Sequence, residues 1–252
     1  MTVNFDELIS NFKKLGVVKG DVLLVHSSYK SFGGVEGGPQ TVINALKSIL
    51  TEDGTLIVPT FNYDFCQGKS YDVKTTPSKM GIITEIVRAD PNSKRTLDPV
   101  FSFAILGKHR DYLTNLENDH SFGANSVFEK LRELDAKIMI IGLAYNESVT
   151  FFHHIEETQR CDYRYFKEFR GKIIDYENTE RDCKITLFVR DIERGVQNSV
   201  DTMGLIMEQE NIVKKIIIGK SEIKLMKAND VYKRTVAEMK KNPHILIKFK
   251  KE

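Results

Sequence analysis

The stretch DVLLVHSSYKSFGGVEGGPQTVINALKSILTEDGTLIVPTF, residues 21–61, runs from an apolar strand through a glycine-rich loop and a helix-patterned segment into a second apolar strand. DVLLVHSS and GTLIVPTF are continuous apolar runs rather than alternating ones, the pattern of strands buried on both faces. Between them, GPQTVINALKSIL carries its apolar residues at helical spacing, the turn-like EDG leads into the second strand, and Pro59 ends it. Strand, helix and strand in this order form the unit from which parallel sheets are built.

The same alternation extends outward. Phe5, Leu8, Ile9, Phe12 and Leu15 predict a helix that stops at Gly16. Downstream, SKMGIITEIVRAD reads as helix, VFSFAILG as strand, SVFEKLREL as helix and AKIMIIGL as a fourth apolar strand. The fold class is therefore α/β, with a mostly parallel central sheet covered by helices on both faces. GKIIDY and CKITLFVRD, flanking the turn-rich ENTERD, predict an antiparallel addition in the C-terminal third. TMGLIMEQEN and NDVYKRTVAEMKKN read as helices, and KKIIIG and SEIKLMK as short strands around Gly219. No linker, low-complexity tract or fixed-period repeat interrupts the chain, so a single domain over 1–252 is expected.

With 41% hydrophobic and 29% charged residues in 252, the chain can bury a sizeable core without disulfides or metals. A net charge of +2 with interspersed signs points to neither nucleic acid nor a membrane surface as partner. Cys66, Cys161 and Cys183 are unclustered, which fits a reducing compartment. No signal-like start and no apolar run near the roughly 18 residues of a membrane span is found, so a cytoplasmic location is expected.

In open α/β sheets, ligands sit beyond the carboxyl ends of the strands. Those ends are HSSYKSFGGVEGG, PTFNYDF, a loop after Gly107, and GLAYNESVTFFHHIEE. The glycine-rich loop could offer amides to a phosphate, but it matches neither GxGxxG nor GxxxxGK[ST]. Ser27 lacks the GxSxG setting of a serine nucleophile.

TFFHHIEE (150–157) is the other candidate. On a helix, His153 and Glu156 share one face, and His154 and Glu157 share another about 100° round. The zinc patterns HExxH and HxxEH are not met, so no metal is expected. The competing reading is an ordinary polar helix face.

Taken together, LGVVKGDVLLVHSSYKSFGGVEGG, GTLIVPTFNYDF, PSKMGIITEIVR, RTLDPVFSFAILG, SFGANSVFEKL and TFFHHIEE resemble, in order and spacing, the aminoglycoside 3-N-acetyltransferase family, over roughly residues 15–160. The resemblance implies transfer of an acyl group from acetyl-CoA or another acyl-CoA to an amine of an amino sugar. It implies His153 as catalytic base and Glu156 as its acidic companion. His154 falls where the family usually has an apolar or aromatic residue, and is assigned to packing or an outer hydrogen bond. Ser27, Ser28, Lys30 and Val35 are implied as coenzyme A contacts, Ser102 and Phe103 as a second wall of that tunnel, and Arg95, in the motif read as RS in many relatives, as a further cofactor-binding residue.

The chemistry agrees independently. A sugar amine is largely protonated near neutrality and needs a base whose pKa lies near working pH, a role suited to histidine. A carboxylate on the other ring nitrogen would fix the tautomer and stabilise the imidazolium. Glu156 and a carboxylate from the later half both remain open for that task. Backbone amides of HSSYK or PTFNYDF are candidate oxyanion donors.

Two departures bear on the acceptor. Many drug-modifying relatives have RSxHP where this chain has RTLDP, placing Asp98 at the histidine position. ETQRCDYRYFKEFRG also carries Arg160, Arg164, Lys167 and Arg170. Clustered cations suit a phosphate-bearing acceptor better than a polycationic drug. A nucleotide-linked amino sugar for surface polysaccharide synthesis is therefore the first expectation, with Tyr63, Asp64, Arg160 and Arg164 as acceptor contacts. An aminoglycoside acceptor is the alternative, favoured if Asp64, Asp72 and Asp98 form an acidic wall. A catalytically silent coenzyme A-binding protein is the alternative of another class, and a homo-oligomer is left open.

Overall fold

The structure, a computed structural model, describes residues 2–250; Met1, Lys251 and Glu252, the ends of the expected 1–252 unit, lie outside the described residues. Helix α1 (Phe5–Leu15) opens on a capping box in which Asn4 Oδ1 accepts from the Glu7 amide and Glu7 Oε2 from the Asn4 amide, both at 2.9 Å. It ends at Gly16, whose φ of 116° makes the left-handed cap. Then follow β1 (Val22–Ser27), α2 (Pro39–Leu50), β2 (Thr55–Pro59), β3 (Tyr71–Asp72), α3 (Ile82–Ala89), β4 (Lys94–Arg95) and β5 (Phe103–Gly107). α3 is shorter than its sequence pattern because Gly81, at φ 114°, sets its start. Next come α4 (Arg110–Thr114), α5 (Val127–Glu133), β6 (Lys137–Ile141), α6 (Tyr145–Ser148) and α7 (Phe151–Gln159). The last third contains β7 (Arg164–Ile174), β8 (Glu180–Arg190), β9 (Val196–Asn198), α8 (Asp201–Gln209), β10 (Lys214–Ile218), β11 (Ser221–Lys227), α9 (Ala228–Met239) and β12 (Ile247–Phe249).

The central sheet has seven strands in the order β10-β11-β6-β1-β2-β5-β4. β10, β6, β1, β2 and β4 point one way, and β11 and β5 the other, so the sheet is mostly parallel in direction, with reversed strands inserted on both sides of its parallel centre. Alternate residues of the central strands feed two cores. Leu24, Ile57, Ile138 and Ile140 join Phe151 and Phe152 on one face, while Leu23, Val25, Leu56, Met139 and Ile141 join Leu8, Phe12 and Leu46 on the other. Each such side chain contributes roughly 1.5–3 kcal/mol by leaving water, which is why these strands lack a polar face.

β7 and β8 form the expected antiparallel hairpin, but as a separate three-stranded sheet with β3 rather than an extension of the central one. β9 and β12 pair as a further small ribbon. One strand-end assignment changes. Because β5 runs against β2, the loop after Gly107 lies beside Gly54 and Thr55, at the opposite edge from the carboxyl ends of β1, β2 and β6. The start of β5, at Ser102 and Phe103, occupies the ligand edge instead. Among the described residues, no helix is long and apolar enough to cross a membrane.

Candidate active site

Helix α7 follows β6 by way of the short helix α6 and is anchored in the core by Phe151, Phe152 and Ile155, all at 0% exposure. That anchoring turns His153 and Glu156 together towards the β7–β8 hairpin. His153 Nδ1 lies 2.7 Å from Glu156 Oε2. A carboxylate oxygen can only accept, so the ring proton is assigned to Nδ1 and the Nε2 lone pair is left for a substrate proton. Arg164, at the start of β7, places Nε 2.8 Å from the same Glu156 oxygen as a close ion contact, without the alignment of a hydrogen bond. Its Nη2 is 3.1 Å from His153 Nδ1, a contact that cannot also be a hydrogen bond once that nitrogen carries the proton. Nη2 donates instead to Asn198 Oδ1 at 2.8 Å, and Nη1 to the Phe188 carbonyl at 3.2 Å.

The electrostatics follow from this packing. Burial pushes the His153 imidazole below its usual value, Arg164 adds to the effect, and the Glu156 charge pulls the other way. For Glu156, burial acts upward, but Arg164 and His153 outweigh it and hold the carboxyl below the usual range. His153 is thus neutral and Glu156 ionised at neutral pH, the pairing a general base requires. Tyr163 is buried beside them. Burial and then the Glu156 charge push its hydroxyl far up, so it stays protonated; Glu156 Oε1 and this hydroxyl are both buried without an aligned partner.

Other predicted residues are dispersed around this centre. Ser27 and Ser28 sit half-buried at the end of β1, where the Ser28 amide donates to Ile141 O at 2.8 Å. Lys30 is exposed on the turn that follows. Gly33, Gly34, Gly37 and Gly38 all have positive φ, so GGVEGG needs its glycines to curl towards the N-terminus of α2. That 12-residue helix has no side-chain cap, and its first amides can receive a phosphate. Val35 is 7% exposed and bridges to Val3, so it braces the loop rather than presenting a side chain.

Arg95, Ser102 and Phe103 are 2%, 0% and 1% exposed. Arg95 Nε donates to Thr60 Oγ1 and Ser102 Oγ at 2.9 and 3.0 Å, and Nη2 to Thr60 O at 2.6 Å, with the guanidinium over the Tyr71 ring. They build the wall behind the β2 end and offer no atom to a cofactor in this conformation. Tyr63 is 44% exposed, edge-on to Phe101, and Asp64 is paired with Lys69 and Lys79. Arg160 ends α7 with a left-handed φ of 51° and stacks over Phe166 at 4.7 Å. Arg164 is no acceptor contact: its side chain is 4% exposed and committed to Glu156.

The sequence reading missed four participants. Phe122 packs edge-on against the His153 ring at 5.3 Å, and Asn198 and Tyr163 surround Arg164 and Glu156. A second pair joins His120 Nδ1 to Glu157 Oε1 at 3.1 Å. SFGANSVF, CDYRYF and the VQN of β9 carry no spacing that points to His153 from sequence alone. A cavity of about 720 Å³ opens between the Asp98 and Asn115–Ser121 loops and the β7–β8 hairpin. His153 does not line it. Phe101, on the cavity wall, touches Phe122 at 4.6 Å, so one aromatic ring separates the two.

A neutral histidine, fixed by a buried carboxylate near the carboxyl ends of the parallel strands, is an arrangement that can accept a proton from a nucleophile bound beside it. The chain belongs to the aminoglycoside 3-N-acetyltransferase family, whose model matches residues 24–240. It is 30% identical over 173 residues to the SPbeta prophage-derived aminoglycoside N(3')-acetyltransferase-like protein YokD of Bacillus subtilis, covering 60% of this chain and 63% of that one. It is 32% identical over 155 residues to aminoglycoside N(3)-acetyltransferase IV of a Salmonella species, covering 60% of this chain and 57% of that one. The matched stretches thus span less than two thirds of these relatives. The fold matches the structure of AAC-IIIb with CoASH at a TM-score of 0.84 and 18% identity, over 96% of this chain and 97% of the other.

Proposed function

We propose that this chain, acting as one domain, is an acetyl-CoA-dependent N-acetyltransferase whose acceptor is an amine of an aminoglycoside-type amino sugar. The observation that carries the reading is the His153–Glu156 pair, held by Arg164, in a member of this family. The acceptor nitrogen attacks the thioester carbonyl, its proton passes to His153 Nε2, and the C–S bond breaks to release coenzyme A as the thiolate, which takes up a proton. Glu156 stabilises the imidazolium formed on the way. The CoASH bound to AAC-IIIb supports coenzyme A as co-substrate, and the uncapped α2 N-terminus suits its phosphates.

The preference for a nucleotide-linked acceptor loses its physical basis. It rested on Arg160, Arg164, Lys167 and Arg170 lining an entrance, but Arg164 is buried against Glu156 and Arg170 is paired with Glu168 at 2.6 Å. The nearby cavity instead carries Asp98, Glu117, Asp119 and Asp182 against Arg181 and Lys184; with Asp182 paired to Lys172 at 2.8 Å, the remaining excess of acid is small, but its sign favours a cationic acceptor. Asp64 and Asp72 do not line it. The curated relative named aminoglycoside N(3)-acetyltransferase IV supports the same choice.

Thiol release from acetyl-CoA, measured with kanamycin- and gentamicin-type aminoglycosides and with nucleotide-linked 3- and 4-amino sugars, tests the proposal. Turnover of the first group is expected, and His153→Ala should reduce it by about 100-fold or more. Turnover confined to nucleotide sugars would overturn the acceptor. Coenzyme A binding with no thiol release against either group would favour a silent binding protein.

A further inference from the structure

We propose that His154, the neighbour of the base, is a positioning residue for acyl transfer: its Nδ1–H holds the Phe122 carbonyl, and the Phe122 ring in turn walls one side of His153. The inference rests on the reading of His153 as general base. The family resemblance assigns His154 to packing or an outer hydrogen bond, and the bond is what the structure has. His154 is 0% exposed, and its Nδ1 lies 2.7 Å from Phe122 O. A carbonyl only accepts, so Nδ1 carries the proton and Nε2 is a bare lone pair. That lone pair is buried without a partner, in a ring stack with Phe151 at 5.6 Å and Tyr232 at 5.9 Å. An apolar side chain would fill this space without an unpartnered acceptor. What the histidine adds is the bond to Phe122.

The flanking residues have tethers of their own, among them His120 to Glu157 and Ser126 Oγ to Gly123 O, but among the described residues the Phe122 carbonyl has no donor other than His154. Ser121 Oγ donates to Asp98 Oδ2 at 2.5 Å, and the Ser121 amide to Thr186 O at 3.2 Å. One residue on, the Phe122 ring contacts His153 at 5.3 Å and Phe101 at 4.6 Å. Both histidines therefore grip one residue: His154 takes its carbonyl, and its ring shields His153 from water. Groups facing His153 are Glu156, Arg164 and Arg190, and those facing His154 are Arg132 and Glu129 of α5, with Tyr232 of α9. None of these replaces the donor to Phe122 O. The ring also packs on Phe101 and Phe128, so loss of that donor lets it shift within this packing rather than leave it, which opens His153 to water and favours its charged form.

The test compares His154→Leu, which fills the space without a donor, with His154→Asn, whose amide can reproduce the Nδ1–H. Two readouts are taken: the pH profile of kcat/KM, and an NMR titration of the His153 imidazole, which needs no turnover. His154→Leu should lower kcat about tenfold with the KM for acetyl-CoA unchanged. It should also move the acid limb and the His153 titration to higher pH, and His154→Asn should restore both. Phe122→Leu, which keeps His154 but removes the aromatic wall, should shift the titration in the same direction even if His154→Leu folds poorly. An unchanged His153 titration in His154→Leu or in Phe122→Leu overturns the proposal, as does equal loss in the Leu and Asn variants. If His153→Ala kept full activity, the base assignment would fail, while the NMR titration would still decide whether His154 sets the environment of His153.

Discussion

Glu156 Oε2 lies 2.7 Å from His153 Nδ1 and 2.8 Å from Arg164 Nε, so a single carboxylate oxygen orients the His153 ring and neutralises a buried guanidinium. The two roles separate under mutation. In Glu156→Gln, shape and size are kept, but the charge that stabilises the imidazolium is gone and the ring tautomer is no longer dictated. Turnover should fall by about 100-fold or more, as when the carboxylate of a triad is made neutral. Because Glu156 holds the His153 pKa up against burial and Arg164, its loss should move the acid limb of kcat/KM to lower pH. A rate profile over pH 5–8 measures both effects. Unchanged turnover would remove Glu156 from the mechanism and return the role to a carboxylate from elsewhere.

Arg164 gives the complementary prediction, on stability. Arg164→Met leaves Glu156 buried without its cation, and removing one partner of a buried pair costs about 3–5 kcal/mol at neutral pH. In that variant burial raises the folded carboxyl above its unfolded value. The deficit is therefore greatest at high pH and shrinks as pH falls and Glu156 takes up a proton. Urea denaturation at pH 7.5 and pH 5 measures it. A loss of equal size at both values would mean that Glu156 had found another cation or access to water.

Much of this was legible in the sequence, and the misses share a cause. Continuous apolar runs revealed β1, β2, β5 and β6, and the HxxE spacing picked out His153 and Glu156. An apolar run buried on both faces looks the same in either direction, so nothing in VFSFAILG revealed that β5 is reversed. Charge was equally silent about partners. Arg164 sits in a basic run that reads as a phosphate entrance, yet it lies at the start of an 11-residue strand that turns it inward to Glu156. Phe122 and Asn198 reach the site through long-range packing, 31 and 45 residues from His153 by their numbers, and local spacing carries no record of such contacts.

His26 yields a last prediction, on acid stability. It lies on β1 between Val25 and Ser27, 5% exposed, with Nε2 buried and unpartnered. Burial pushes its imidazole from 6.5 down to about 4. Its folded pKa is below the unfolded one, so as pH falls below 6.5 the unfolded chain takes the proton first. Stability therefore declines between pH 6.5 and about 4 and levels off below that, by on the order of 3 kcal/mol from this group alone. His153 and His154 are pushed the same way, so the native slope sums all three. His26→Leu, close in volume and without a titrating group, should flatten the slope while leaving stability at pH 7.5 unchanged or slightly raised. Urea midpoints taken every half unit from pH 4 to 7.5 give the comparison. Parallel slopes for the two proteins would show that His26 takes up its proton as easily in the folded chain as in the unfolded one, which only water or a hydrogen-bond acceptor reaching Nε2 would allow.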